Sequence, residues 1–194
     1  DSSEAQSNSF SLFKLESYVN LVGYDQNLTN VAIQPRGKGF STQLNLKYGV
    51  TYSAGLFNIL GNLLLQMHRG RTLKIQIEAV DHPEWTSVSV SQWPTVTVSP
   101  DEQPATTQLT VKVDEDAPAF GAGDIKLRIT VPDVGLIKGM INEVEIPFSA
   151  GYIPLVQAQF PEGESEIIGP MDTAVFPIEL QNLGNARTRV SLQV

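Results

Sequence analysis

The side chains best suited to chemistry are few in this chain, and they are far apart. His68 and His82 are its only histidines, and it has no cysteine. A nucleophilic triad would need a positioned Ser and Asp beside one of those histidines. A zinc site would need more ligands than two histidines ordinarily provide. Without cysteine there is no thiolate catalysis, no disulfide and no Cys-based zinc site. Gly121-Ala122-Gly123-Asp124 is rich in glycine but joins two β segments. It precedes no helix, so it lacks the N-terminal dipole that phosphate loops use. The sequence therefore predicts a non-enzymatic protein with no cofactor.

Binding chemistry offers more candidates. Asp114, Glu115, Asp116 and Asp124 cluster near a turn and carry hard oxygens of the kind calcium takes. Their spacing matches no standard calcium loop, and an exposed acidic turn is the ordinary alternative. Asn27-Leu28-Thr29 is the one glycosylation sequon. Trp85, Trp93 and Tyr152 would stack on sugar rings if they stood exposed in a row. A tryptophan between two sheets is more often interior, and that is the expectation for Trp85. The net charge of −8, with thirteen scattered Lys and Arg, argues against a nucleic-acid surface. The acidity serves solubility instead. With 41% hydrophobic and 18% charged residues, the chain has the composition of a folded domain with a proper core.

The elements that would position these groups are strands. Residues 1–9 form a polar tail, expected to be flexible. Phe40–Tyr48, Leu73–Ala79, Leu109–Val113, Ile125–Val131 and Val144–Phe148 each alternate apolar and polar side chains, the mark of half-buried strands. Turn chemistry separates them, as at Ser99-Pro100-Asp101 and Pro132-Asp133. Several short strands at this spacing predict an all-β chain built as β-sandwiches. Phe10–Gln34 is ambiguous. Leu12, Leu15, Val19 and Val22 fit a helix, while Val31-Ala32-Ile33 looks like a strand; the segment is expected to supply the first strands.

An internal repeat divides the chain. Arg71–Val80 (RTLKIQIEAV) and Arg187–Val194 (RTRVSLQV) each follow an alternating segment, Phe40–Tyr48 and Ala174–Gln181. The expected organisation is a first domain over 10–150 and the opening part of a second over 151–194, with Tyr152–Phe160 as its new first strand. The two copies differ in the segment between their strands. The second uses about five residues and the first uses Gly49–Gly70. That insertion begins with an uncharged run, Gly49–Met67, and is expected to form an apolar helix or hairpin beside the sandwich. It is near the lower limit for a membrane span. A single crossing, however, would put the flanking strands on opposite sides of a bilayer. Tyr52, Leu56, Phe57, Leu60, Leu63, Leu64 and Met67 are the candidate partner-binding residues. They would dock another protein or a membrane interface; plugging one end of the core is the competing role for the same segment, and re-entrant membrane insertion is the third.

Asn182-Leu183-Gly184-Asn185-Ala186 between alternating strands resembles the strand–turn–strand of CARDB-like, cell-adhesion-related Ig-like domains of prokaryotic surface proteins. Pro83-Glu84-Trp85, Val98-Ser99-Pro100 and Ala117-Pro118 resemble further elements of that class. The resemblance spans roughly residues 40–131 and 155–194. It implies Ig-like β-sandwiches in tandem, on an extracellular, structural or adhesive protein such as a surface-layer, adhesin or scaffold subunit. Its partners would be other subunits or copies of itself. The polar start DSSEAQSNS fits the residue run behind a cleaved leader. The alternative function is a carbohydrate-binding or accessory module of an exported hydrolase, in which Trp85 or Trp93 would carry the binding.

Overall fold

The computed structural model describes residues 14–25, 27–53, 58–161, 167–173, 175 and 177–191. The chain is mostly β, in several sheets. The strands are β1 (Lys14–Gly23), β2 (Phe40–Ser53), β3 (Thr72–Lys74), β4 (Gln76–Asp81), β5 (Thr86–Val90), β6 (Thr95–Thr97), β7 (Gln103–Val113), β8 (Ala122–Val131), β9 (Ile137–Lys138), β10 (Met140–Ser149), β11 (Val156–Gln159) and β12 (Glu179–Asn182). A four-residue helix, α1 (Asn27–Asn30), precedes β2, and α2 (Asn58–His68) follows it.

One sheet has the order β5-β7-β2-β1-β9 and another β10-β8-β4; β3-β6 and β11-β12 are two-stranded. All pairings are antiparallel except β1–β9. Period-2 alternation decides which side chains go inward. From β2 these are Thr42, Leu44, Leu46 and Tyr48; from β7 Leu109, Val111 and Val113; from β8 Ile125, Leu127, Ile129 and Val131. With Ile77 of β4 and Ile146 and Phe148 of β10, all of these but Thr42 form one hydrophobic cluster spanning both larger sheets. Each fully buried Leu or Ile contributes about 1.5–3 kcal/mol of transfer free energy. Among the described residues the buried polar side chains are partnered. The Tyr48 hydroxyl lies 3.4 Å from Ser17 Oγ, and burial holds its pKa above the usual phenol value.

Lys14–Gly23 supplies the first strand, as expected, and the helical alternative falls away: Leu15, Ser17 and Val19 alternate inward against β2. Two segments differ from the sequence expectation. Val31–Ile33 is not a strand; Ile33 makes a single parallel bridge to Ala150. Arg71–Val80 is two strands in two different sheets. Leu73 pairs with Val96, whereas Ile77 pairs with Ile129. Between them Ile75 N donates to Pro94 O at 2.9 Å. All three side chains stay buried through the switch.

The segment after Gly151, the second unit below as distinct from the first unit before it, holds the separate β11–β12 pair, antiparallel like β1 and β2. Arg187–Ser191 has no ladder pairing, and Leu192–Val194 lie outside the described residues. No residue of β11 or β12 is buried. A two-stranded ribbon of this length has little stability of its own in water, so contacts with the first unit must hold it.

The shared core makes a specific demand. Leu127 lies on β8, the middle strand of its sheet, and is 1% exposed. Leu127→Ala should cost about 2–5 kcal/mol. Urea unfolding should show this as a lower midpoint with an unchanged slope.

Candidate functional site

The insertion is shorter than its sequence implied. Gly49–Ser53 continue β2 and pair with β1, from Gly49↔Tyr18 to Ser53↔Lys14. Among the described residues the helical part of the insertion is α2, whose faces differ. Gly61, Leu65 and His68 point inward at helical spacing and are buried. A glycine inside a helix costs about 1 kcal/mol relative to alanine, and the reason for Gly61 is steric. A Cβ there would lie 2.6 Å from Cδ2 of Tyr52, so the bare backbone lets the Tyr52 ring rest on the helix. His68 closes the C-terminal end. Its Nδ1 lies 2.9 Å from Leu64 O, a carbonyl that only accepts, so Nδ1 carries the proton. Nε2 then accepts the Leu136 N–H at 3.4 Å from the loop that follows β8. That loop is itself held by Asp133, which accepts from Gly139 N at 2.7 Å and pairs with Lys138. Those contacts, the Gly139 N–H foremost, hold the Asp133 carboxyl below its usual pKa.

The opposite face of α2 is open. Ile59, Leu63 and Met67, spaced by four, are 87%, 57% and 69% exposed. Asn62 and Gln66 lie exposed among them, and His68 is the only ionisable residue of the helix. Leu136 is also exposed, next to the N–H contact with His68. An apolar stripe of this kind ordinarily faces a core or a partner. The predicted set is therefore partly assembled. Leu63 and Met67 stand on the stripe. Tyr52 is exposed but belongs to β2, and Leu64 turns toward the core. Leu60 lies on α2. Leu56 and Phe57 lie outside the described residues. Ile59 completes the stripe, and the spacing of four to Leu63 was the signal for it. Among the described residues, no helix is long and apolar enough to cross a membrane.

The remaining candidates are dispersed. Asn27 opens α1, and Leu28 in the middle of the sequon is fully buried. Asp114 opens the turn after β7, Asp124 of β8 pairs with Pro147 of β10, and Glu115 is bound to Arg36 at 2.9 Å. Neither Asp116 nor any other acid joins them in a metal-binding group: no three His, Cys, Asp or Glu side chains converge among the described residues. Trp85 packs against the core with its ring 5.5 Å from that of Phe148. Trp93 is partly exposed, and its Nε1 donates to Ile77 O at 3.2 Å. Tyr152 stacks on Phe120 at 5.7 Å. His82 bonds locally, to Pro83 O and Thr86 Oγ1, both at 3.2 Å.

A second constellation forms where the two units meet, at the turn Asn182–Ala186. Asn182 Oδ1 accepts from Gly184 N at 3.0 Å and its Nδ2 donates to Ala186 O at 2.8 Å, which closes the turn on itself. A Cβ on Gly184 would lie 2.2 Å from Ile153 O, so only glycine fits. The turn presents Asn185 inward. Its Oδ1 accepts from Ile153 N at 2.8 Å, and its Nδ2 donates to Gly151 O at 2.9 Å and to Ala117 O at 3.1 Å. One side chain thereby ties the second unit to both the junction and the first unit. Two residues beside it, Arg36 (φ 62°) and Phe120 (φ 59°), hold the left-handed backbone that non-glycine residues avoid. Arg36 also donates to Leu183 O at 3.4 Å. Strain of this sort persists where the surroundings impose it.

Compared with protein-family models, with curated proteins and with solved structures, the chain matches none. The functional reading therefore rests on these geometries and on the motif resemblance.

Asn185→Ala removes three hydrogen bonds, each worth about 1 kcal/mol. The Ile153 amide should lose protection by about tenfold or more in hydrogen exchange, while the β2 amides stay unchanged. Equal protection at Ile153 in the variant would show that Asn185 does not hold the joint.

Proposed function

We propose that this is a non-enzymatic, exported structural or adhesive module, a tandem of Ig-like β-sandwiches that works through protein–protein contacts. The first sandwich would be the two larger sheets around their shared core. The second would contain the β11–β12 pair. The supporting observation is the stripe of Ile59, Leu63 and Met67, displayed by a helix whose other face is anchored in the core. A helix fixed in this way presents its apolar side chains without an ordering cost on binding, which favours affinity. The partner is another protein subunit or a second copy of the chain. The Ig-like class and the extracellular placement rest on the resemblance of the NLGNA turn and the strand-end motifs.

The test separates docking from core packing. Leu63→Asp with Met67→Asp should abolish association measured by sedimentation velocity and leave the melting temperature within a few degrees. Leu65→Asp, by contrast, should unfold the domain, because it buries an unpaired charge. A photo-crosslinker at position 67 should capture the partner in the assembly. A wild type that stays monomeric at millimolar concentration, with no crosslink above that from position 76, would overturn the reading. Association with anionic vesicles alone would instead assign the stripe to a membrane interface.

A further inference from the structure

The two larger sheets turn outer faces of different chemistry to solvent. On β4–β8–β10 the face is a charge ladder. Arg128 stands between Glu78 and Glu143 and binds Glu143 at 2.9 Å, and Lys126 pairs with Glu145 at 3.4 Å. That is an ordinary solvated face with opposite charges across strands. On β1–β2–β7–β5 the middle of the outer face has no charge. Ser41, Gln43 and Asn45 of β2 stand across from Thr110, Gln108 and Thr106 of β7. Charge returns around it, at Lys14 and Glu16 of β1, at Lys47 and Glu102, which pair with each other, and at Lys112.

The uncharged groups are only partly used by the protein. Ser41 Oγ and Thr110 Oγ1 lie 2.8 Å apart, and Gln43 Nε2 donates to Asn45 Oδ1 at 3.3 Å. The side-chain amide of Gln108 makes no hydrogen bond among the described residues. A surface depression of about 310 Å³ opens here, lined by Gln43, Thr106, Thr107 and Gln108. One end of the face carries an aromatic platform. Tyr18 pairs with Gly49, and a Cβ on Gly49 would lie 2.4 Å from Cζ of Tyr18, so the ring lies over the bare glycine. The Tyr18 hydroxyl donates to Glu102 Oε1 at 2.9 Å, and Lys47 binds the other carboxylate oxygen at 3.3 Å. The ring is thus pinned by two neighbours.

We propose that this face binds a neutral glycan chain, with Tyr18 as the stacking platform and Gln43, Asn45 and Gln108 as the hydrogen-bonding groups. An aromatic ring takes the apolar face of a sugar, and side-chain amides both donate to and accept from its hydroxyls. From Gly49 to Gln43 the strand runs about 20 Å at ~3.3 Å per residue, room for several sugar rings. The one cation within this stretch, Lys47, is paired with Glu102, which leaves no cluster of Arg and Lys of the kind that phosphorylated or sulfated ligands need. A docked protein would instead seek an apolar centre, which this face lacks. The site differs from the tryptophans that the sequence offered, and it does not depend on the α2 stripe.

The test uses the full chain with neutral oligosaccharides of glucose, mannose and N-acetylglucosamine, by calorimetry and affinity electrophoresis. At least one of them should bind. Gln43→Ala with Gln108→Ala should weaken that binding tenfold or more without moving the melting temperature, because both side chains are exposed. Tyr18→Ala should weaken it similarly. Trp93→Ala and the Leu63→Asp, Met67→Asp pair should leave it intact. No binding of any of the three at millimolar concentration would overturn the proposal. So would binding lost in Trp93→Ala and retained in the glutamine pair.

Discussion

The structure is registered on a single strand. β2 runs fourteen residues and is paired along most of its length on both sides, with β1 from Asn45 to Ser53 and with β7 from Phe40 to Tyr48. Its inward side chains enter the core shared with β8 and β10, and its outward ones, Lys47 apart, make the uncharged centre of the outer face. A slip of one residue in β2 would exchange those two sets. It would place Gln43, Asn45 and Lys47 in the core and Leu44, Leu46 and Tyr48 in water. Core and candidate glycan face are thus two consequences of one register. The strand also fixes α2, because Tyr52 at its far end rests on Gly61.

The second unit is held by a different principle. Where β2 is fixed by burial, β11 and β12 contain no fully buried residue and are fixed by directed hydrogen bonds at the joint. Asn185 satisfies three backbone groups at once, and Gly184 allows the approach. Arg36 and Phe120 keep unfavourable backbone conformations on the first unit's side, each tied to the second by a contact. The joint thus combines directed hydrogen bonds with the Phe120–Tyr152 ring contact.

The strands were legible wherever burial and alternation coincide. Phe40–Tyr48 and Ile125–Val131 show this, because a half-buried strand must alternate. The switch of sheet at Ile75 was not. Leu73, Ile75 and Ile77 alternate identically whether their partner is β6 or β8, and a ladder partner leaves no mark in a single strand's pattern. On α2 the uncharged run hid which side faces in. Leu64 and Leu65 are equally apolar, and only the packing against β2 sends Leu65 to the core and Leu63 to solvent. The NLGNA turn was recognised as a turn, but Asn185 bonds to residues 32 to 68 positions away, a relation invisible in local sequence. The uncharged outer face was written plainly in Ser41, Gln43 and Asn45. Its meaning appears only beside the charge ladder of the opposite sheet and the Tyr18 ring.

The central claim is that one core, registered on β2, carries the fold, while the second unit is attached by its joint. Native-state hydrogen exchange across the whole chain tests it most directly. Paired amides of β2, β7 and β8 should exchange only through global unfolding, at the free energy measured by urea denaturation. Those of β11 and β12 should open several kcal/mol more easily and independently of denaturant concentration. Equal protection of β12 and β2 would contradict the account, since it would place the second unit within the same cooperative core.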